Sequence, residues 1–284
     1  MLTVLESINL STDYLKNKGI ESPRINAELI LAHILKCKRL QLYLSFDRPL
    51  KEEEVILYRE LLKRRSKFEP LQYIIGNVNF LGLDFKVTPS VLIPRPETEL
   101  LVEEIIAQCR DKEFIKILDI GTGSGNIAIT LAKFIHGSNV IATDISEEAI
   151  EVAKKNAAVN EVEGKVFFLK HNILLAEKLP EEDFDIIVSN PPYVTLEEFK
   201  NLDNELKDYE PSIALTDSSD GLSFYKIITA KSKNYLKENG KIYFELGHNL
   251  STKVFDILQA NNFSNISIKK DYQNIERIIS GELL

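Results

Sequence analysis

Apolar residues along the first 69 positions recur at helical spacing. Leu2, Leu5, Ile8 and Leu15 form one stripe, Ala27, Leu29, Ile30, Leu31, Ile34 and Leu35 a second, and Val55, Leu57, Tyr58, Leu61 and Leu62 a third. Ser22-Pro23 is a good helix start, because proline fits a first turn. The pattern predicts a small helical bundle over residues 1–69. From Glu69-Pro70 onward β-branched and aromatic residues take over, punctuated by Gly76-Asn77 and Gly82, which predicts a β-hairpin linker over residues 70–96. Beyond residue 97 the chain alternates between short apolar runs and amphipathic stretches. Strands are expected at 115–120, 140–144, 166–169, 184–189, 241–246, 266–269 and 276–280, with helices at 127–134, 147–159, 221–238 and 250–260. Such alternation predicts an α/β fold, a doubly wound, mostly parallel seven-stranded sheet, over residues 97–284. Only residues 270–275 separate the last two strands, too few for a crossover helix, so these two should pair antiparallel.

Composition narrows the possible roles. Of 284 residues, 44% are hydrophobic and 27% charged, which is the balance of a globular chain and not of a disordered one. No apolar run approaches the ~20 residues of a membrane-spanning helix. Glu6 and Asp13 interrupt the N-terminal stretch, which does not read as a secretion signal. The two cysteines, Cys37 and Cys109, form no CxxC pair and exclude a disulfide scaffold, and the four histidines have no metal-ligand spacing. The expectation is a cytoplasmic protein without a metal. The net charge of −8 is uneven: residues 1–69 carry 13 Lys and Arg against 10 Asp and Glu, a net of +3, and the rest carries −11. An acidic body of that kind is unsuited to coating duplex nucleic acid.

The strongest local signal is the run Ile115 to Asn126, where a buried strand enters a Gly-x-Gly-x-Gly turn at Gly121, Thr122, Gly123, Ser124 and Gly125 and then a helix. A dinucleotide site wants Gly-x-Gly-x-x-Gly, with pyrophosphate on the helix N-terminus. Here the third glycine comes one residue early, and Asp119 precedes the turn, where a carboxylate repels phosphate and suits a cation. S-adenosylmethionine, with a sulfonium and an ammonium and no phosphate, fits this electrostatic pattern. Asp144 ends the second strand 23 residues after Gly121, a position suited to accepting both hydroxyls of a ribose. Asn172 follows the third strand, where it can meet an adenine or simply form a turn.

After the fourth strand comes Asn190-Pro191-Pro192-Tyr193, a rigid corner at the strand edge where open α/β folds bind ligands. In this order the motifs resemble those of class I, Rossmann-like S-adenosylmethionine-dependent methyltransferases that modify planar NH2 nitrogens. More closely, the chain resembles the release factor glutamine methyltransferases. Five pieces carry the likeness: the segments at 70–76 and 93–99, the Asp119 to Gly125 turn, the Asn-Pro-Pro-Tyr corner, and the segment Glu210-Pro211-Ser212-Ile213-Ala214-Leu215. One position departs: many relatives carry Asp followed by an aromatic residue where this chain has Asn172-Ile173.

The resemblance implies transfer of a methyl group from S-adenosylmethionine, leaving S-adenosylhomocysteine, to the side-chain nitrogen of the glutamine in the Gly-Gly-Gln loop of peptide chain release factors. Asn190 and Pro191 then accept the two amide N–H bonds, Pro192 and Tyr193 complete the substrate corner, and Asn190 borders the cofactor as well. The N-terminal bundle is implied to hold the release factor, and a monomer free of nucleic acid and membrane is expected. Three other readings compete. A DNA or RNA base N-methyltransferase can use the same corner on a flipped base, but the acidic body disfavours it. The intact Asn190–Tyr193 motif disfavours a non-catalytic S-adenosylmethionine-binding protein, and Asp119 with the shifted glycine disfavours a NAD-dependent dehydrogenase.

Overall fold

A computed structural model describes residues 2–110, 112–175 and 178–284. In chain order the elements are α1 Val4–Asn17, α2 Pro23–Ile34, α3 Arg39–Leu42, α4 Glu52–Arg65, α5 Leu71–Ile75, β1 Asn77–Phe80, β2 Leu83–Lys86 and α6 Pro96–Gln108. Then follow β3 Ile115–Ile120, α7 Asn126–Phe134, β4 Ser138–Asp144, α8 Glu147–Val159, β5 Val166–Lys170 and β6 Phe184–Ser189. The chain closes with α9 Leu196–Lys200, α10 Asn204–Lys207, α11 Ser212–Leu215, α12 Ser223–Ser232, β7 Leu236–Glu245, α13 Ser251–Ala260, β8 Phe263–Lys270 and β9 Glu276–Leu283.

The chain forms two compact units, Met1–Asn77 with Asp203–Tyr209, and Val78–Leu202 with Glu210–Leu284. The first is helical. Thr3 and Glu6 cap α1 reciprocally, the Thr3 hydroxyl accepting from the Glu6 amide at 3.3 Å and the Glu6 carboxylate from the Thr3 amide at 2.9 Å. The apolar stripes of α1, α2 and α4 meet in one core built on Val4, Ile8, Leu15, Ile30, Leu31 and Leu61. Two buried charges are fully partnered there. Glu28 accepts from Arg24, Arg39 and the Tyr43 hydroxyl at 2.7–2.9 Å. Arg65 donates to Asn26, the Glu69 carbonyl and Glu205 at 2.7–2.9 Å. The last of these bonds ties the 203–209 segment to this unit.

The second unit is the seven-stranded sheet in the order β5-β4-β3-β6-β7-β9-β8. Strands β3 to β7 pair in parallel, and β9 pairs antiparallel with both β7 and β8. The antiparallel end follows from the short 270–275 connection, as its length predicts. Alternation along each strand sends Ile117, Val140 and Ile186 to one face, under α6 and α7, and Leu118, Ile141 and Ile187 to the other, under α12 and α13. The chain leaves β3 for β4 and β5 on one side and returns to β6 on the other. The C-terminal ends of β3 and β6 therefore flank a switch point, where ligands bind in such sheets.

The structure corrects the expected elements in three places. Residues 71–75, read as part of a hairpin, are the helix α5, stopped by Gly76 at φ 83°. Only 77–86 of the 70–96 stretch pairs as β1 and β2, around a Leu81-Gly82 turn with φ 47° and 80°. The hairpin is fixed to α8 by Asn156, which donates to the Lys86 carbonyl at 3.0 Å and accepts from the Lys86 amide at 2.7 Å. Finally, the helix expected over 221–238 ends at Ser232. Leu236 already pairs with Phe184, and the register shift before Ile186 absorbs the extra residues of β7.

Candidate active site

The glycine turn hangs on β4. The amides of Gly121 and Thr122 both donate to the Thr143 carbonyl at 2.9 Å, and the Gly123 amide donates to Asp144 Oδ2 at 2.9 Å. Asp144 Oδ1 accepts the Ser146 amide at 2.9 Å, at the entry to α8. Each oxygen thus keeps one lone pair for a ligand hydroxyl. Gly121 has φ +78°, which favours glycine, and a side chain there would meet open space. Gly125 has a second constraint: a Cβ on it would lie 2.7 Å from Ile129 Cδ1 and 3.1 Å from Ala153 Cβ.

Above this turn is a cavity of 170 Å³ lined by the ends of β3, β4 and β6. Gly121, Gly123, Asp144, Asn172, Asn190 and Pro191 all line it. Ile145, Ile173 and Phe224 supply apolar walls. Among the described residues no lysine or arginine lines it, and Asp144 is its one acidic group. Such a lining is unsuited to pyrophosphate and fits a cationic nucleoside with a ribose diol. S-adenosylmethionine meets that description. Asn172 uses its Oδ1 to accept the Leu174 amide at 3.0 Å, forming a turn and leaving its NH2 for a ligand.

Pro192 lines it too, whereas Asp119, Thr122, Ser124, Gly125 and Tyr193 lie around this cavity and do not line it. Asp119 is fully buried beneath the turn, where its Oδ2 accepts from Thr122 Oγ1 at 2.6 Å. Burial pushes its carboxyl up to about 7; the Thr122 bond opposes this, the charge of Asp144 adds to it, and the Ala128 amide of α7 opposes it. Its direct work is to hold the turn. Thr122 and Ser124 line a smaller adjoining pocket of 30 Å³, with Pro94, Arg95, Thr98 and Asn190. Tyr193 packs on Gly247 and Glu245 outside the cavity lining. A Cβ on Gly247 would lie 2.7 Å from its ring, and its hydroxyl donates to Glu245 Oε1 at 3.2 Å.

The Asn190 amide is anchored at one end. Its Nδ2 donates to Thr98 Oγ1 at 3.2 Å, and that hydroxyl donates to Glu245 Oε2 at 2.6 Å. Thr98 lines the smaller pocket and not the larger, so Oδ1 is the end left for the larger cavity. The 93–99 and 210–215 segments are clamped together: the Arg95 guanidinium pairs with Glu210, buried to 5% exposure, whose other oxygen accepts the Ile93 amide at 3.2 Å.

Comparison with known proteins is decisive at this point. Residues 6–76 match the PrmC N-terminal domain and residues 96–206 the Methyltransferase small domain. A release factor glutamine methyltransferase of Fusobacterium nucleatum is 44% identical over 277 residues, covering 97% of this chain and 77% of that one. The same-named protein of Geobacter sulfurreducens is 39% identical over 286 residues, covering 99% and 97%. The chain belongs to the release factor glutamine methyltransferase family. It is an S-adenosylmethionine-dependent methyltransferase. Its fold is shared with a methyltransferase from Pyrococcus furiosus, at TM-score 0.54 and 21% identity over 71% of this chain and 89% of that one. The hMettl16 catalytic domain, solved in complex with the MAT2A 3'UTR hairpin 6, gives a TM-score of 0.55 at 19% identity over 82% and 83%.

Two residues of this methyltransferase escaped the sequence reading: Thr98 and Glu245. Glu245 carries the signal that singled out Asp144, an acid at the end of an apolar strand, here in Ile242-Tyr243-Phe244-Glu245. Thr98 sits inside a motif whose resemblance was noted without a chemistry.

Proposed function

We propose that this methyltransferase moves the methyl group of S-adenosylmethionine to the side-chain nitrogen of the glutamine in the Gly-Gly-Gln loop of peptide chain release factors. The observation that carries the reading is the Asn190 amide, held by its nitrogen end on Thr98 with its oxygen left for the cavity that Asp144 and Gly121 also line.

When bound, S-adenosylmethionine supplies an electrophilic methyl on its sulfonium. Asp144 would hold the ribose diol through the free lone pairs of its two oxygens. The NH2 of Asn172 would donate to the adenine, and Ile145 and Phe224, which line the cavity, would supply apolar contact. Asn190 Oδ1 and the Pro191 carbonyl accept the two N–H bonds of the incoming glutamine amide. That nitrogen is a weak nucleophile because its lone pair is delocalised into the carbonyl. Two acceptors there would fix the nitrogen in one orientation and favour positive charge developing on it. The proton then passes to water, since an alkylated amide cation is strongly acidic. The helical unit of residues 1–69 holds the protein substrate, because one glutamine side chain offers little area for recognition.

A methyl-transfer assay tests the reading. The enzyme receives a release factor, the same factor with the loop glutamine replaced by glutamate, and a mixture of DNA and RNA. Methylation of the intact factor alone is expected. Label on nucleic acid, or equal label on the substituted factor, overturns it.

A further inference from the structure

Methyl transfer at Asn190 depends on which end of its carboxamide faces the cavity, and neither end is fixed by the amide's own shape. The fixing comes from outside the Asn190–Tyr193 motif. Thr98 Oγ1 has a single proton, and it goes to Glu245 Oε2 at 2.6 Å. Toward Asn190, 3.2 Å away, the same oxygen can therefore only accept, so it selects Nδ2. The geometry points to Thr98 and Glu245 as positioning residues for methyl transfer: a two-bond relay that holds the Asn190 amide with its oxygen toward the substrate. This inference rests on the proposed role of Asn190.

Glu245 is itself held on every side. Tyr193 donates to its Oε1 at 3.2 Å, and Tyr225, from α12, donates to its main-chain oxygen at 2.8 Å. Glu97, in the first turn of α6, and Arg277, on β9, are the charged groups that bear on it. Burial pushes its carboxyl up to about 7; the bonds from Thr98 and Tyr193 oppose this, the charge of Glu97 adds to it, and Arg277 opposes it. Protonation at Oε2 reverses the first bond of the relay. The Thr98 proton is then free for Asn190 Oδ1, and the amide can turn over to present its NH2, a donor, where the substrate amine needs an acceptor. Activity therefore falls as pH drops through the titration of Glu245. The motif Asn190-Pro191-Pro192-Tyr193 is intact in this state and still fails.

The test uses the full chain. Thr98→Val removes the hydroxyl at constant shape and is expected to lower kcat on the release factor by on the order of tenfold or more, with S-adenosylhomocysteine affinity unchanged. Thr98→Ser, which keeps the hydroxyl, restores activity. Glu245→Gln mimics the protonated relay: kcat falls, and the acidic limb of the kcat profile near pH 7 disappears. Selective 15N labelling of asparagine gives a reading that needs no substrate. The Asn190 side-chain amide resonances shift with pH near 7 in the wild type and stay constant in Glu245→Gln. Wild-type kcat in Thr98→Val, an equal loss in Thr98→Ser, or Asn190 resonances indifferent to pH overturns the relay. Should the wild type leave the factor unmethylated, the proposed function fails, and the resonances still judge the relay.

Discussion

Three acids stand at or next to the ends of apolar strands of the sheet, and their surroundings give them different work. Asp144 keeps a lone pair on each oxygen beside the cavity, whereas Asp119 and Glu245 are sealed in. Asp144→Ala is expected to weaken S-adenosylhomocysteine binding tenfold to a hundredfold, since hydrogen bonds to a charged group are worth about 1.5–3 kcal/mol; calorimetric titration measures it. Asp119 makes a different prediction. Its folded pKa, about 7, lies above the ordinary value of 3.8, so the native state binds the extra proton. The stability this provides is complete at pH below the unfolded value and is lost as pH rises through 7. Asp119→Asn removes that slope: the variant gains in Tm relative to the wild type between about pH 4 and 7, the span the shift sets. A Tm difference independent of pH contradicts the buried charge. That Asp119 is sealed could not be read from the sequence, where it and Asp144 look alike, because what separates them is whether a turn folds over the carboxylate.

At the scale of elements, the turn between β3 and α7 is shaped by two separate demands on its glycines. Gly125 is confined by Ile129 and Ala153 and has φ +82°, so Gly125→Ala is expected to cost about 1–3 kcal/mol of unfolding free energy in denaturant titration, by overpacking and backbone strain together. A variant as stable as the wild type contradicts the packing of α7 against α8. The parallel strands and this turn were legible because a buried strand is a short apolar run and a glycine turn has few substitutes. The ends of elements were less legible. Leu236–Lys237–Glu238 continues a helical pattern, yet Leu236 pairs with Phe184, since the sheet offers a partner that local periodicity does not record. Residues 71–75 carry strand-prone isoleucines and are helical, because Gly76 closes a turn over Gln72, its amide donating to the Gln72 carbonyl at 2.7 Å. Glu245 went unnoticed although it ends a strand, since the partner that gives it meaning, Thr98, is 147 residues away in sequence.

For the whole molecule, the recognition role proposed for residues 1–69 does not rest on their charge, a net of +3 against −11 over the rest, which solvated helix faces explain as well. Deleting residues 1–69 is expected to spare S-adenosylhomocysteine binding and to cripple methylation of an intact release factor; a deletion that methylates the factor at the full rate contradicts a recognition role for that unit. That Gly121, Gly123 and Asp144 come together at one cavity was legible, because glycine spacing and a strand-end acid mark a turn open to a ligand. The Asn190–Tyr193 corner was legible only as a motif, since the hydrogen bonds that hold the Asn190 amide come from α6 and β7. The central claim is that Asn190 holds a glutamine carboxamide for methylation. Mass spectrometry of the Gly-Gly-Gln peptide, after a release factor is incubated with S-adenosylmethionine and enzyme, tests it most directly. The account predicts one methyl on the glutamine side chain with the wild type and a rate lower by on the order of 10²–10³-fold with Asn190→Ala at unchanged cofactor affinity. An unmodified glutamine, or equal methylation by Asn190→Ala, contradicts it.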